Sequence, residues 1–183
     1  IAIMKSIKIL ILVLFFQTNL FSQQAAKRDM RAAWISTVDN IDWPSKPGLS
    51  DQEMKGEMIQ ILDNLRSYNL NTVVFQIRPT ADAYYKSSKE PASHWITGTQ
   101  GVAPGFDALQ LMIDEAGKRG MSVHVWLNPY RVQKDTTKDL LTKSHLFFKK
   151  PELFLAYGKT RYFNPGYQET RDFVSGVVGE IVR

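Results

Sequence analysis

The stretch "HVWLNPYR", residues 124–131, alternates polar or aromatic side chains with apolar ones and then meets a proline. His124, Trp126 and Asn128 occupy alternate positions, so in a strand they point to one side. The valine and leucine residues between them point to the other side, where they can pack against helices. These residues therefore predict a strand that packs on one face and lines a polar, aromatic cavity with the other.

Strand-like and helix-like segments alternate through the rest of the chain. Ser50 followed by Glu53 predicts a capping box at the start of a helix that ends at Asn69. The predicted order is strand 30–37, helix 50–69, strand 72–77, helix 106–119, strand 121–127 and a helix beginning near residue 168. The side chains expected on the buried faces of the helices are Met54, Met58, Ile61, Leu62, Leu65, Tyr68, Leu109, Ile113, Ala116, Phe173, Val177 and Ile181.

This alternation implies parallel strands joined by helical crossovers, in either a doubly wound sheet or a (β/α) barrel. The loops after the strands are long, about 12, 27 and 40 residues, whereas the returns from helix to strand are very short. A barrel builds its active site from the loops that follow its strands. No Gly-rich phosphate loop follows the first strand, which disfavours a nucleotide-binding sheet. The predicted fold class is therefore α/β, a partial (β/α)8 TIM barrel.

The two ends of the chain predict its domain organisation. Residues 1–23 combine the basic Lys5 and Lys8 with an apolar run, Ile9–Phe16, which is the layout of a cleaved secretory signal peptide. The run is shorter than the roughly 20 residues of a membrane span, so no stable span is expected after cleavage. Residues 24–183 are expected to be the first three βα units of a larger barrel, truncated before the fourth strand, because complete barrels typically have ~250 residues. The protein is expected to be exported and to be periplasmic, cell-envelope-associated or extracellular.

Composition and motif content exclude several classes of function. The net charge of +5 is not arranged as a basic stripe along the sequence, so no nucleic-acid partner is expected. The chain has no cysteine, which excludes disulfides and a thiol nucleophile within these residues. His94, His124 and His145 are far apart in sequence and form no HExxH motif, so neither a metal nor another cofactor is expected. A GxSxG nucleophile elbow is also absent.

Polar and aromatic side chains collect in the loops that follow the strands. The first loop contributes Asp39 and Trp43, and the second begins with Gln76 and Arg78 on one side of the strand end. Asp82 is the expected partner of Arg78 in a structural ion pair, which leaves contact with a ligand open. Rings that can stack, next to groups that bind hydroxyls, suit sugars, because sugars have apolar faces and hydroxyl rims. The residues thus favour a polysaccharide or oligosaccharide as the partner.

Four stretches of the chain resemble a known family. They are "RAAWISTVDNIDWPS", "LNTVVFQIRPTADAYYKSSKEPASHWITGTQG", "GFDALQLMIDEAGKRGMSVHVWLNPYR" and "YFNPGYQETRDFVSGVVGEIVR". Together they look like the N-terminal part of the glycosyl-hydrolase-like 10 family, bacterial secreted or cell-envelope proteins with a (β/α)8 barrel. The resemblance implies hydrolysis of glycosidic bonds by carboxylate acid–base chemistry, with peptidoglycan glycan strands stripped of their peptides as a substrate of one branch.

The resemblance also implies where the functional residues lie. An Asp-rich fourth strand is expected after "EIV", so the catalytic acids are expected beyond Arg183 and none is assigned within the chain. The residues that match the family's motifs at the barrel mouth, and are predicted to bind substrate, are Asp39, Trp43, Gln76, Arg78, Asp82, Tyr84, Trp95, His124, Trp126, Asn128, Tyr130 and Arg131. A non-catalytic carbohydrate-binding barrel and an α/β scaffold whose aromatic residues pack the barrel end are the alternatives.

Overall fold

The computed structural model describes residues 29–138 and 140–182, and the chain from Arg31 onward forms one compact unit. The predicted signal peptide, residues 1–23, lies outside the described residues. Among the helices in the described part, none combines the length and the apolar character that crossing a bilayer requires.

A three-stranded parallel sheet forms the centre of the unit. Its strands are β1 (Ala32–Ile35), β2 (Thr72–Arg78) and β3 (Ser122–Leu127), in the order β1-β2-β3. On β2, Val73, Phe75 and Ile77 are fully buried in the core beneath the helices. The alternate side chains of β2 face the other way and lie beside those of its neighbours in register. The α/β class with a parallel sheet is thereby confirmed.

Within the described residues, five α-helices accompany the sheet. They are α1 (Asp51–Ser67), α2 (His94–Thr97), α3 (Ala108–Lys118), α4 (Leu146–Lys149) and α5 (Gln168–Ile181). The predicted capping box is confirmed, because the Ser50 backbone N–H donates to the Glu53 carboxylate at 2.8 Å and the Glu53 N–H donates to Ser50 Oγ at 3.3 Å. The prediction of burial was wrong for two residues. Tyr68 is 78% exposed because it lies beyond the last turn of α1, and Ile113 is 45% exposed because Met112 takes the core position on α3.

A second sheet occupies the segment between β3 and α5, which the sequence had suggested was loop. Its strands are β4 (Arg131–Gln133), β5 (Phe154–Tyr157) and β6 (Thr160–Phe163), antiparallel in the order β4-β6-β5. Gly158 forms the β5–β6 turn with a φ of 58°, a backbone conformation that glycine adopts at no steric cost. Phe163 and Val132 anchor the sheet in a small core of its own.

Trp43 is a core residue, which contradicts its predicted place in a binding surface. Its side chain is 0% exposed, its Nε1 donates to the Met54 carbonyl at 3.0 Å, and its ring meets Phe75 edge to face at 5.7 Å. The indole therefore fastens the loop after β1 to helix α1 and offers no exposed ring face to a sugar.

His145 ties the second sheet's segment to the loop after β2. Its side chain is 2% exposed, its Nδ1 accepts from the Phe147 N–H at 3.0 Å as the N-cap of α4, and its Nε2 lies 3.1 Å from the Ala81 carbonyl. Both contacts are satisfied by a neutral ring that carries its proton on Nε2. Burial lowers the pKa of His145 from 6.5 to about 4, and the hydrogen bond to Ala81 only partly opposes that shift.

Replacing Trp43 by alanine is expected to lower the free energy of unfolding by about 3–5 kcal/mol, because it leaves a cavity and removes the hydrogen bond from the indole to the Met54 carbonyl. Tyr68→Ala is the control, since Tyr68 is an aromatic residue exposed at the surface, and is expected to change stability by no more than about 0.5 kcal/mol. Urea unfolding of the complete protein measures both. Equal effects of the two substitutions would contradict the core assignment.

The His145 pKa predicts a loss of stability in mild acid. Between pH 6.5 and about 4 the unfolded chain binds a proton at this position and the folded chain does not, so stability falls as the pH is lowered through that range. His145→Asn keeps a helix-capping side chain and removes the titration. The variant's stability, followed by urea unfolding at several pH values, is therefore expected to change less than the wild type's over this window. Parallel pH profiles would contradict the assignment.

Candidate functional site

A cavity of about 430 Å³ lies where the loops from all three parallel strands meet. We call it the mouth cleft. Its polar walls come from the segments that follow β1, β2 and β3, namely Asp39, then Thr80, His94 and Gln100, then Gln133 and Lys134, with the ring of Trp95 beside them. The cleft therefore has the position at which open and barrel-forming parallel sheets bind ligands.

Asp39 reaches the mouth cleft from an unusual backbone. Both Asp39 and Asn40 have φ near +55°, in the left-handed region that residues other than glycine seldom occupy. The Asn40 side-chain amide holds this turn by donating to the carbonyls of Pro44 at 2.9 Å and Trp95 at 2.8 Å. The Asp39 carboxylate is half exposed and forms an ion pair with Lys134. The first and third loops thus meet across the cleft.

Gln76 and Tyr84 build the floor of the mouth rather than lining it. Gln76 is 0% exposed, and its Oε1 accepts from the backbone N–H groups of Thr37 at 2.9 Å and Val38 at 3.0 Å. The Tyr84 hydroxyl donates to the Thr37 carbonyl, and burial raises the pKa of this phenol. Gln76 Nε2 has no hydrogen-bond partner in the described part of the chain. Both residues fix the end of β1 against β2.

Arg78 pairs with Glu90, so its expected pairing with Asp82 was wrong. Arg78 Nε lies 2.6 Å from Glu90 Oε2 and Nη2 lies 2.5 Å from Oε1, a bidentate pair in which both side chains are buried. Burial raises the pKa of Glu90, and the charge of Arg78 opposes that rise. Arg78 Nη1 also donates to the Asn128 carbonyl at 2.5 Å. The arginine therefore links the loop after β2 to the end of β3.

Asn128 and Arg131 reinforce this link. The Asn128 side-chain amide and Arg131 Nε both donate to the Pro79 carbonyl, at 3.0 and 2.9 Å. Burial lowers the pKa of Arg131, and the nearby carboxylates of Asp39 and Asp82 oppose the shift. The polar residues at the end of β3 thus hold the loop after β2 by its backbone.

Asp82 and His94 form the polar wall of the second loop. Asp82 is 0% exposed, Thr80 donates to its Oδ1 at 2.8 Å, and Gln100 Nε2 lies 3.4 Å from its Oδ2. His94 Nδ1 lies 3.7 Å from the same Oδ2, and the imidazole stacks on Trp95 with ring centroids 4.2 Å apart. A buried carboxylate therefore orients an imidazole at the edge of the cleft.

The parallel register places a second group of residues on the open face of the sheet. Val74 of β2 lies between Trp34 and His124, and Gln76 lies beside Trp126. Trp34 and Trp126 meet edge to face at 5.0 Å, and Trp34 is 64% exposed. His124 and Trp126 share one face as predicted, and the register places Gln76 on that face as well. All three residues lie outside the lining of the mouth cleft.

The structure therefore divides the twelve predicted binding residues. Asp39 and Trp95 line the cleft, and Asp82 lies directly behind it. The predicted residues that support the mouth or lie elsewhere are Trp43, Gln76, Arg78, Tyr84, His124, Trp126, Asn128, Tyr130 and Arg131. Of these, Tyr130 packs against the core of the second sheet. The predicted set omitted His94, Gln100, Gln133 and Lys134, which meet through loop folding. His94 and Gln100 lie in a stretch that resembles the family, whereas Gln133 and Lys134 lie outside all four stretches.

The cleft has the chemistry of a polyol site. Its carboxylates accept hydrogen bonds, its amides donate and accept, and the ring of His94 provides an apolar surface above the mostly buried indole of Trp95. Residues 29–138 and 140–182 contain no group of three histidine, aspartate or glutamate side chains that could hold a metal ion.

The sequence of this chain is similar to that of several known proteins. Residues 29–183 match the family model described as glycosyl hydrolase-like 10. Glycosyl hydrolase YngK of Bacillus subtilis (strain 168) is 45% identical over 157 residues, which cover 85% of this chain and 31% of that protein. Glycosyl hydrolase DigH of Escherichia coli (strain K12) is 34% identical over 175 residues, which cover 87% of this chain and 40% of that protein.

The chain thus spans about a third of the length of these curated relatives. Among solved structures, a noncanonic maltogenic alpha-amylase from Thermotoga neapolitana is similar with a TM-score of 0.49 and 16% identity over 80% of this chain and 35% of that one. The match to the family model and the identity to YngK carry the assignment: this chain belongs to the glycosyl hydrolase-like 10 family.

Proposed function

We propose that the whole protein hydrolyses glycosidic bonds of a polysaccharide and that the mouth cleft is part of its substrate-binding site. The observation that carries this proposal is the position of the cleft, which collects carboxylate, amide and aromatic side chains above three adjacent parallel strands. Membership of a glycosyl hydrolase-like family supports the same reaction class. Closure of the parallel sheet into a (β/α)8 barrel is part of the proposal.

Each wall of the cleft has a role in binding. The ring of His94, which packs on the mostly buried indole of Trp95, offers a surface for the apolar face of a sugar, and the Asp39 carboxylate accepts hydrogen bonds from hydroxyls. His94 Nε2 has no hydrogen-bond partner among the described residues, so it can bind a sugar hydroxyl while Nδ1 faces Asp82. We assign His94 to substrate binding on this geometry.

The acids of the cleft are better suited to binding than to catalysis. Glycoside hydrolysis requires two carboxyl groups roughly 5–9.5 Å apart, one of which is free to move a proton. Asp39 is paired with Lys134, and Asp135 accepts hydrogen bonds from the backbone N–H and the hydroxyl of Thr137. Asp82, behind the cleft, is buried and receives hydrogen bonds on both oxygens. We therefore propose that the catalytic acids come from residues beyond Arg183 in the complete protein.

We further propose that the protein is exported, because residues 1–23 have the layout of a signal peptide, and that it acts in the periplasm, at the cell envelope or outside the cell. Glycan strands of peptidoglycan, the substrate that the family resemblance implies, are the first to test. Release of reducing ends by the complete protein supports hydrolysis. Binding without release of reducing ends would favour the non-catalytic carbohydrate-binding barrel.

Asp39→Asn is expected to weaken substrate binding a few-fold and to leave kcat within about threefold of the wild type, since the lost interaction is one of binding. Asparagine tolerates the left-handed backbone of this position, so the fold is retained. Steady-state kinetics of the complete protein give KM and kcat separately. A fall in kcat of about a thousandfold or more would make Asp39 a catalytic acid.

His94→Ala is expected to weaken glycan binding about three- to tenfold, the loss of one or two hydrogen bonds. His94→Gln retains a donor and an acceptor and is expected to recover part of that affinity. Tyr68→Ala, on the exposed end of α1, provides the control. Calorimetric titration of the complete protein with oligosaccharide measures all three, and unchanged affinity in His94→Ala would remove this residue from the site.

A further inference from the structure

Although the basic residues form no continuous stripe, the net positive charge of the protein lies within one segment. Residues 131–161 contain eight lysine or arginine and three aspartate or glutamate residues, a net charge of +5. The whole chain also has a net charge of +5, so the remaining residues carry equal numbers of acidic and basic side chains. This basic segment runs from β4 through β6 and forms the third wall of the mouth cleft.

A second cavity, of about 260 Å³, lies beside the mouth cleft in this segment. We call it the distal pocket. Gln133, Lys138 and Leu141 line both cavities, so the two are joined by a common wall. Phe147 and Arg161 line the distal pocket but not the mouth cleft. The two cavities therefore lie side by side, separated by the residues that line both.

Two contacts fix the side chain of Arg161 at the distal pocket. Its guanidinium lies 3.7 Å from the centroid of the Phe147 ring, and its Nη1 donates to Gln133 Oε1 at 2.8 Å. Within the described residues it forms no ion pair, in contrast to Lys134 with Asp39. Arginine has five donors in a planar fork, so stacking and one hydrogen bond leave further donors for a ligand.

We propose that the distal pocket binds a carboxylate-bearing sugar of a polysaccharide whose neighbouring units occupy the mouth cleft. The proposal rests on the proposed function, and it adds the chemical class of the substrate and the residues that recognise it. A carboxylate matches the guanidinium fork of Arg161 in geometry and charge, and Lys138 adds a second cation in the same pocket. Nucleic acid is disfavoured because Arg161 covers a face of Phe147 on which a base would stack.

The test compares matched glycans on the complete protein. One pair is a uronic-acid oligosaccharide and the same oligosaccharide after reduction of its carboxyl groups; the other is a lactyl-ether glycan and its amidated form. The wild type is expected to bind the carboxylated member of at least one pair about tenfold more tightly, and the pair that shows the effect identifies the source of the carboxylate. Arg161→Gln is expected to reduce this preference to less than threefold.

Lys149→Gln is the matched control, because it removes the same charge from the same segment at an exposed residue that lines neither cavity. Its carboxylate preference is expected to stay within about twofold of the wild type. If both substitutions reduce the preference equally, the segment acts only through its overall charge and the distal pocket is not a site. Lys138→Gln gives an independent test if Arg161→Gln fails to fold, and an unchanged preference there overturns the proposal.

Two further outcomes separate this proposal from the proposed function. Equal binding of carboxylated and neutral glycans overturns the distal pocket and leaves glycan hydrolysis intact. Failure to bind any glycan overturns the proposed function itself. A single-stranded oligonucleotide that binds with the same dependence on Arg161 would assign the pocket to nucleic acid and overturn the glycan assignment.

Discussion

The buried ion pair of Arg78 and Glu90 is the contact on which the mouth of the sheet depends. Desolvation opposes the ionised form of Glu90, and Arg78 supplies the charge that compensates for it. A pair of this kind adds little net stability, but removal of one partner leaves a buried charge, which is costly. The ion pair therefore holds the loop after β2 in one conformation. Arg78 also donates to the Asn128 carbonyl, so the same group positions the end of β3.

The residues that support the mouth act by the same principle. Gln76 accepts hydrogen bonds from the backbone N–H groups that follow β1, and Asn128 and Arg131 donate hydrogen bonds to a carbonyl of the loop after β2. Loops at strand ends leave backbone groups without ladder partners, and long polar side chains satisfy them where water is excluded. Trp43 provides the apolar counterpart. In this protein the polar residues at the ends of β2 and β3 thus belong to the scaffold of the mouth rather than to the lining of the cleft.

This distinction explains how much could be predicted from the sequence. Strands, helices and the shared face of His124 and Trp126 follow from local periodicity, and the capping box of α1 follows from Ser50 and Glu53. The partner of Arg78 does not, because Glu90 is twelve residues away across a loop and Asp82 is nearer in sequence. The second sheet was missed because its strands have three or four residues, too few to establish a period.

The ion pair of Asp39 and Lys134 has the opposite character to that of Arg78 and Glu90. Its side chains are 49% and 40% exposed, so water screens the attraction, and pairs of this kind contribute only about 0–1 kcal/mol. Opening it therefore costs little, whereas a sugar hydroxyl can replace either partner at the cleft. The mouth thus combines a rigid base, where charges are buried and matched, with a rim whose charges exchange partners readily. Because the pair at the rim is weak, the loop after β3 places its excess of positive charge at the cleft without holding those side chains in one position.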